Sequence, residues 1–178
     1  IKVRLAQIDE KGKQVFRDSA VVMDGKFTIK GAVEEPSVYF LSADGTPGNM
    51  VFMLENSNIQ IDFNTEIPME SKVTGSESNK SYEDFQNGML KFREEGTAIM
   101  TRFKELGQDP APETRDSIRK AMDDMRQRQL AYPLSFVQDH NDSYFSLNLI
   151  QLESSRPTFD IIKYKEIYES FPTHLKES

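Results

Sequence analysis

The spacing of apolar residues changes once along this chain of 178 residues. In the N-terminal part apolar and polar residues alternate, for example Ile59, Ile61 and Phe63 with polar residues between them. This alternation is typical of a strand with one buried and one exposed face. In the C-terminal part apolar residues recur every three or four positions, which is typical of an amphipathic helix. The sequence therefore predicts an α+β protein, with a strand region at residues 1–76 and a helical region at residues 77–178.

Turn-forming residues separate the apolar runs of the strand region. They divide it into six or seven short strands, and this spacing favours an antiparallel β-sandwich or small barrel. The clearest turn is Asp24-Gly25, which supplies the positive φ angles of a two-residue hairpin and is predicted to pair Val22-Met23 with Lys26-Phe27. The other turn signals are DEKG at 9–12, EEP at 34–36, DGTPG at 44–48 and NSN at 56–58.

The helical region is predicted to contain about four antiparallel helices. The first begins at an N-cap formed by Ser78 or Ser81 and ends at Gly107 and Pro110. Gly96 lies on its apolar stripe, where the missing side chain is predicted to let another backbone approach closely. A stripe this long also fits a coiled coil between chains, but the short loops favour an antiparallel pair within one chain. The stripe consists of Tyr82, Phe85, Met89, Phe92, Gly96, Ile99, Phe103 and Leu106.

The other three helices have shorter apolar stripes. The second is predicted over about 113–138, with a bend at Pro133. The third follows Asp142, and the fourth begins near Phe159. Their predicted inward residues are Ile118, Met122, Met125, Tyr132 and Phe136, then Tyr144, Leu147, Leu149, Ile150 and Leu152, and finally Ile162, Ile167, Tyr168 and Phe171.

Composition excludes several function classes. The net charge of −7 is spread evenly, which argues against a nucleic-acid partner because phosphate binding needs a concentrated basic surface. The chain has no Cys, so these residues hold no thiol nucleophile, disulfide or thiolate metal site. No apolar run approaches the roughly 18 residues of a membrane span, and no transmembrane segment is predicted.

Two histidines were the first candidates for a site. His140 lies in DHND at 139–142, but the alternating acids and Gly of a calcium loop are absent, which favours a helix junction capped by Asp142. His174 has no Ser or acidic partner in its local sequence, so no catalytic triad is indicated. No catalytic, cofactor-binding or metal-binding residue is predicted, and no cofactor.

The remaining patterns also have structural readings. Adjacent acids point in different directions and do not form a carboxylate pair aimed at one substrate. DGTPGNM at 44–50 is predicted to connect two strands, and VTGSESN at 73–79 to lead from a strand into a helix. The methionines of the second helix, Met122 and Met125, favour core packing over an adaptable binding surface. The acidic doublets are Glu34-Glu35, Glu94-Glu95 and Asp123-Asp124.

Several segments in order resemble one known family. They are DSAVVMDGKFTIKGAVEEPSVYFL, FMLENSNIQIDF and VTGSESNKSYEDF, and the likeness covers residues 1 to about 85. The chain is similar here to domain-of-unknown-function family 4369, the N-terminal part of Bacteroidetes envelope proteins that end in a thioredoxin-like, TlpA/ResA or AhpC/TSA-type, thiol-disulfide oxidoreductase domain. DSYFSLNLIQL and YESFPTHLKES are similar to the helices that precede that domain. The family's Cys-x-x-Cys has no counterpart here, so no functional residue carries over.

The resemblance implies an exported parent that is lipid-anchored or periplasmic, in the periplasm or at the outer membrane, of which this chain is the accessory half. The missing initiator Met and signal peptide fit the expectation that the chain is part of a longer protein. The favoured hypothesis is a non-catalytic interaction and positioning domain. Its partners would be the downstream thioredoxin-like domain, envelope client proteins or a second copy of itself. The alternative is an independent domain that binds a small ligand or glycan.

Overall fold

The computed structural model describes residues 1–9, 12–107, 110–157 and 159–177. Within them the strands form two antiparallel sheets: a four-stranded sheet with the order β2-β1-β3-β4, and a two-stranded sheet of β5 and β6. A 3-10 turn at Pro68–Glu70 connects β5 to β6. The strands are β1 (Lys2–Ile8), β2 (Gln14–Val21), β3 (Ser37–Ala43), β4 (Met50–Leu54), β5 (Gln60–Asp62) and β6 (Lys72–Thr74).

The α+β class is confirmed, whereas a closed sandwich or barrel of six to seven strands is not. The described residues hold six strands, but the second sheet has two short ones. Ile61 of β5 and Val73 of β6 pack against one face of the larger sheet and cover only part of it. The DGTPGNM and VTGSESN segments connect β3 to β4 and β6 to the first helix, as predicted. Within the predicted turn at 9–12, residues 10 and 11 lie outside the described residues.

The Asp24-Gly25 turn is confirmed, but the strand expected after it does not form. Asp24 and Gly25 have φ angles of 51° and 73°, and the backbone groups of Met23 and Lys26 exchange two hydrogen bonds of 2.9 Å. Beyond that bridge, residues 27–33 pair with no strand. They cross the face of the larger sheet instead, with Phe27 packed against it. The alternation in this segment therefore reflects packing of alternate side chains, not pairing of the backbone.

Gly25→Val is expected to lower the free energy of unfolding by about 1 to 3 kcal/mol, because a β-branched residue is strained at a positive φ. Nothing lies within 4 Å of a Cβ built at Gly25, so the strain comes from the backbone alone. Gly31→Val is a matched control, since Gly31 has equal space around it and no positive φ. Urea denaturation of both variants measures the difference. Equal stability of the two would show that the turn conformation costs nothing.

Within the described residues the helical region contains four helices, as predicted, and a fifth of one turn. The N-caps differ from the prediction. Ser76 caps the first helix by accepting a hydrogen bond from the N–H of Asn79, and Ser143, not Asp142, caps the third. In both cases the Ser residue just before the first turn has the extended backbone that an N-cap requires. The helices are α1 (Glu77–Glu105), α2 (Pro112–Asp139), α3 (Tyr144–Ser154), α4 (Ile161–Glu169) and α5 (Thr173–Lys176).

The larger sheet lies between two apolar clusters, one on each face. Neighbouring residues of β4 show this division, because Phe52 belongs to one cluster and Met53 to the other. The sheet cluster has the buried members Val3, Leu5, Tyr39, Leu41, Ala43, Met50 and Phe52. The helix cluster has the buried members Met53, Phe85, Phe136, Val137, Phe145, Leu149, Tyr164, Phe171 and Leu175.

The start of α1 packs against the sheet, and its later turns pack against α2, as the predicted antiparallel pair requires. Phe85 joins Met53 in the helix cluster, and the ring of Phe92 lies 5.6 Å from that of Tyr132 in α2. The neighbour of Gly96 is a side chain and not a backbone: a Cβ built at Gly96 would lie 3.2 Å from the terminal methyl group of Met125. Gly88, which the sequence did not single out, has the closer neighbour: a Cβ there would lie 1.9 Å from the hydroxyl of Tyr132.

Three residues assigned to inward stripes are exposed: Leu106, Leu152 and Ile162. They lie at or near helix ends or on the outer face of a short helix, where no other described element covers them. In α4 the buried residue is Tyr164, which is 6 % exposed and which the sequence reading missed. A short helix fits more than one apolar stripe, so packing decides which one faces inward.

Candidate functional site

An open cleft of about 1320 Å³ lies on the sheet-cluster face. Its floor is apolar and comes from the larger sheet, including Leu41 and Phe52. One wall is the segment at residues 25–33, and the other includes the start of β5 and Gly75. The cleft exists because the smaller sheet covers only part of this face and the crossing segment does not pair with it. A cleft with an apolar floor and polar groups on its walls is a common form of binding site.

The side chain of Asn56 holds the far end of one wall of the cleft, with the two backbone hydrogen bonds that a neighbouring strand would make. The amide oxygen of Asn56 accepts a hydrogen bond of 2.9 Å from the N–H of Val33, and its amide nitrogen donates one of 2.7 Å to the carbonyl of Val33. The hairpin at Asp24-Gly25 fixes the other end. The segment between them is thus held at both ends and forms one wall of the cleft.

The opposite wall requires a glycine. Gly75 has a φ of +83°, and a Cβ there would lie 2.3 Å from the carbonyl oxygen of Asn58. The chain entering α1 therefore passes directly against the chain entering β5. A side chain at Gly75 would push these two chain segments apart at the end of the smaller sheet.

Three cations line the cleft: Arg17, Lys26 and Lys30. Arg17 projects from a β-bulge, since the β1–β2 register passes from Leu5 and Asp18 to Ala6 and Phe16 without it. None of the three forms an ion pair or a side-chain hydrogen bond with another described residue. In a chain of net charge −7, this is a local excess of unpaired positive charge.

At the end of the cleft, polar contacts fasten α1 to β4. Burial raises the pKa of Glu55, but hydrogen bonds from the hydroxyls of Ser78 and Ser76 and from nearby backbone N–H groups outweigh it, so the pKa lies below its usual value. The buried amide of Asn79 accepts a hydrogen bond of 2.8 Å from the N–H of Met53 and donates one to its carbonyl. Because β4 is an edge strand, Asn79 takes the place of a further strand.

The histidines considered from the sequence lie outside the cleft. His140 stacks on Phe136 at 4.0 Å, and its Nδ1 lies 3.0 Å from the Phe136 carbonyl oxygen at the end of α2. Asp142 is exposed beside it. His174 is exposed on α5, with its ring 6.2 Å from that of Tyr144. The structure brings the two histidines into no common site among the described residues.

The other residues considered from the sequence are also separate. Met125 is buried between α1 and α2, and Met122 is half-buried beside it. Glu95 accepts hydrogen bonds from Arg128 of α2, while Glu94 is exposed. The doublets at 34–35 and 123–124 are exposed. Over the described ranges, no group of three or more His, Asp or Glu side chains is placed to hold a metal ion.

A buried carboxylate lies in the helix cluster, away from the cleft. Glu153 is 5 % exposed, its Oε1 accepts no hydrogen bond from the described residues, and the Nε of Arg156 lies 3.2 Å away. Burial raises the pKa of Glu153, and the charge of Arg156 only partly opposes this. Burial, together with the charge of Glu153, raises the pKa of Tyr164 to about 12. Glu153 also occupies the last turn of α3, where the helix dipole disfavours negative charge.

Glu153→Gln is expected to change how stability depends on pH. The raised pKa means that the protonated carboxyl stabilises the fold below the unfolded pKa of about 4.5, and that this contribution is lost as the pH rises through the folded pKa. The Tm of the variant relative to the natural chain should therefore be more favourable at pH 8 than at pH 4. Glu166→Gln, at an exposed position of α4, is the control. A relative Tm that is the same at both pH values would contradict the burial of a charged group.

None of the helices within the described ranges combines the length and the apolar character needed to cross a membrane.

The fold defines an α+β protein in which a four-stranded antiparallel sheet lies between a helical layer and a partly open cleft. Residues 2–82 match the model of a family described as a domain of unknown function, DUF4369, so this N-terminal part of the chain is similar to that family. The match extends through β1–β6 into the first turns of α1 and includes the cleft. Comparison with curated proteins finds no match, and neither does comparison with solved structures.

The sequence reading missed the cleft. Its walls come from segments that were interpreted as strands or turns, and the three cations lie far enough apart in sequence that no basic motif is visible. One signal was present: Lys26, Thr28 and Lys30 alternate with apolar residues in a segment that also contains Gly31 and Ala32, which suit a strand poorly.

Proposed function

We propose that this chain is a non-catalytic N-terminal accessory domain of a cell-envelope thiol-disulfide oxidoreductase. The thioredoxin-like domain would follow it in an exported parent that is periplasmic or attached to the outer membrane. The similarity of residues 2–82 to DUF4369 supports this through the architecture that the resemblance implies. The chain has no Cys, and the attacking group in disulfide exchange is a thiolate. The redox chemistry would therefore belong to the following domain, and this chain would position that domain and its clients.

The observation that carries the proposal is the anchoring of the last helix. Phe171 and Leu175 are 3 % and 1 % exposed and belong to the helix cluster. The hydroxyl of Tyr168 donates a hydrogen bond of 3.3 Å to the carbonyl of Lys176, and the Nζ of Lys176 donates one of 3.0 Å to the carbonyl of Glu169. A domain joined after α5 would therefore leave the body in a fixed direction. A short rigid connection restricts where the next domain lies.

The test is insulin reduction by the natural full-length protein and by residues 1–178 alone. The full-length protein is expected to reduce insulin disulfides, and the isolated chain is expected to show no turnover above the buffer control. A full-length protein without a Cys-x-x-Cys, or without turnover, would overturn the proposal. Turnover by the isolated chain, prepared free of thioredoxin, would overturn the non-catalytic assignment.

Positioning itself is tested by loosening α5 in the full-length protein. Tyr168→Phe together with Lys176→Met removes both hydrogen bonds and leaves the buried Phe171 and Leu175 in place. The rate with a small aromatic disulfide is expected to stay unchanged, while the rate with insulin changes, because only a large client is sensitive to the domain arrangement. Equal effects on both substrates would show that α5 supports the redox domain's own structure and does not position it.

The cleft favours a second candidate, an independent domain that binds a small ligand or glycan. Its apolar floor and polar walls suit a ligand with both kinds of surface. Thermal-shift screening of envelope metabolites and oligosaccharides against residues 1–178 tests this. A ligand present at about 100 times its Kd stabilises the folded state by about 2.7 kcal/mol, which is a clear rise in Tm. No rise with any compound of the set would remove this candidate.

A further inference from the structure

Residues 27–32 have the side-chain pattern of a strand but lack its backbone partners. Phe27 and Ile29 are half-buried against the sheet cluster, while Thr28 and Lys30 are exposed. No backbone N–H or carbonyl of these six residues forms a hydrogen bond with another described residue. Such a row of free donors and acceptors is what an exposed strand edge offers to an added strand.

The cleft also has space for an added strand. The unpaired segment forms one wall of the cleft, and Ile59, Gln60 and Ile61 contribute to the other. Six residues of extended chain span about 20 Å, enough for three side chains directed toward the floor and three directed outward. Both ends of the segment are fixed, by the Asp24-Gly25 turn and by Asn56, so the wall is held in place before anything binds. A preformed site loses less entropy on binding.

The charges indicate which strand would fit. Arg17, Lys26 and Lys30 line the same cleft without an ion-pair partner among the described residues. Asp18 also lines it, but its carboxylate accepts a hydrogen bond of 2.6 Å from the N–H of Ser19. Glu55 lies at the far end and is held by Ser78. The cleft therefore combines an apolar floor with three cations, Arg17, Lys26 and Lys30, and two carboxylates, which leaves a net positive charge of one.

We propose that the cleft binds an extended polypeptide segment of a partner protein, added as a strand along residues 27–32. Alternate side chains of the bound segment are apolar and face Leu41 and Phe52 on the floor. The side chains between them are acidic and face Arg17, Lys26 and Lys30. Backbone hydrogen bonds supply affinity that is independent of sequence, and the alternation of apolar and acidic residues supplies specificity.

This inference rests on the proposed interaction role and gives that role a site and a partner chemistry. It is measured on residues 1–178 alone. Its failure is therefore separate from failure of the oxidoreductase proposal, which depends on insulin reduction by the full-length protein.

The experiment uses a fluorescein-labelled nine-residue peptide in which Val and Glu alternate, followed by fluorescence anisotropy. Saturable binding to the chain is expected. A peptide with Lys in place of Glu is expected to bind at least about tenfold more weakly, since its charges oppose those of the cleft. A peptide of the same sequence with alternate backbone nitrogens methylated keeps the side chains but loses the hydrogen bonds, and it too should bind at least about tenfold more weakly.

Two matched double variants each reverse the charge of two exposed lysines. Lys26→Glu with Lys30→Glu is expected to weaken binding of the acidic peptide at least about tenfold, while Lys104→Glu with Lys120→Glu on α1 and α2, which changes net charge equally, leaves it within about twofold. Hydrogen exchange should show protection of the amides of residues 27–32 when the peptide is bound.

Three results would overturn the proposal. The first is no saturable binding at millimolar peptide, and the second is equal weakening by the two charge-reversal pairs. The third is undiminished binding of the methylated peptide, which would indicate an anionic ligand held by charge without strand addition. Unchanged Tm values for both pairs of variants show that a loss of binding is not a loss of folding.

Discussion

Phe85→Ala is expected to lower the free energy of unfolding by about 3 to 5 kcal/mol, because it removes a buried ring and leaves a cavity between layers. Phe85 is 8 % exposed and joins Met53 of β4 to the helix cluster. Its ring contacts those of Tyr132, Phe136 and Phe145, with centroid distances of 5.3, 5.2 and 5.5 Å. Three helices therefore lose a common contact in one substitution. Urea denaturation followed by circular dichroism measures the change.

Phe16→Ala is the matched control, since Phe16 is 58 % exposed on β2 and its loss should cost less than about 0.5 kcal/mol. The natural chain should also unfold in one transition, because the helix cluster includes a strand residue and the two regions form a cooperative unit. Separate melting of strand and helix signals, with residues 1–76 stable on their own, would contradict this and make the helices a separate spacer.

Asn79→Ala is expected to cost about 2 to 4 kcal/mol, because it leaves both backbone groups of a buried strand residue without partners. Asn79 is 5 % exposed, and Met53, whose N–H and carbonyl it pairs, is fully buried. The amide of Asn79 also donates a hydrogen bond of 2.9 Å to the N-cap hydroxyl of Ser76. The substitution therefore weakens the edge of the sheet and the start of α1 together.

Two further variants separate hydrogen bonding from packing at this position. Asn79→Asp keeps the acceptor for the Met53 N–H but places an oxygen against the Met53 carbonyl, and it should be at least as destabilising as the Ala variant. Asn87→Ala removes an exposed Asn from the same helix and should change stability by less than about 0.5 kcal/mol. If all three variants unfold at the same urea concentration as the natural chain, the Asn79 contacts contribute nothing.

Local residue preferences predicted most of the secondary structure. The two-residue turn at Asp24-Gly25 needs positive φ angles that few residues adopt, so the sequence signal is strong. The stripe of α1 is long enough that one face must be covered, and the predicted antiparallel partner in the same chain is α2. The N-cap of α1 was placed two or five residues late and that of α3 one residue early, because nearby Ser and Asp side chains can each accept N–H bonds of a first turn.

Prediction was weakest where one pattern fits two arrangements. Phe27 and Ile29 alternate with polar residues whether they pair in a sheet or only pack on one. Tyr164 and Ile162 both lie on possible apolar faces of α4, and only contact with the helix cluster selects Tyr164. The cleft depends on the first of these two cases, since it exists only because residues 27–32 remain unpaired.

The sequence by itself determined the α+β class, the change from strands to helices near residue 76 and the absence of thiol chemistry in this chain. These properties depend on local geometry and on which side chains are present. Only the tertiary structure decided that each face of the larger sheet packs against its own apolar cluster, that Asn79 and Asn56 take the place of neighbouring strands, and that three cations share one cleft. Those features join residues distant in the chain, and their energies arise only when folding brings the partners together.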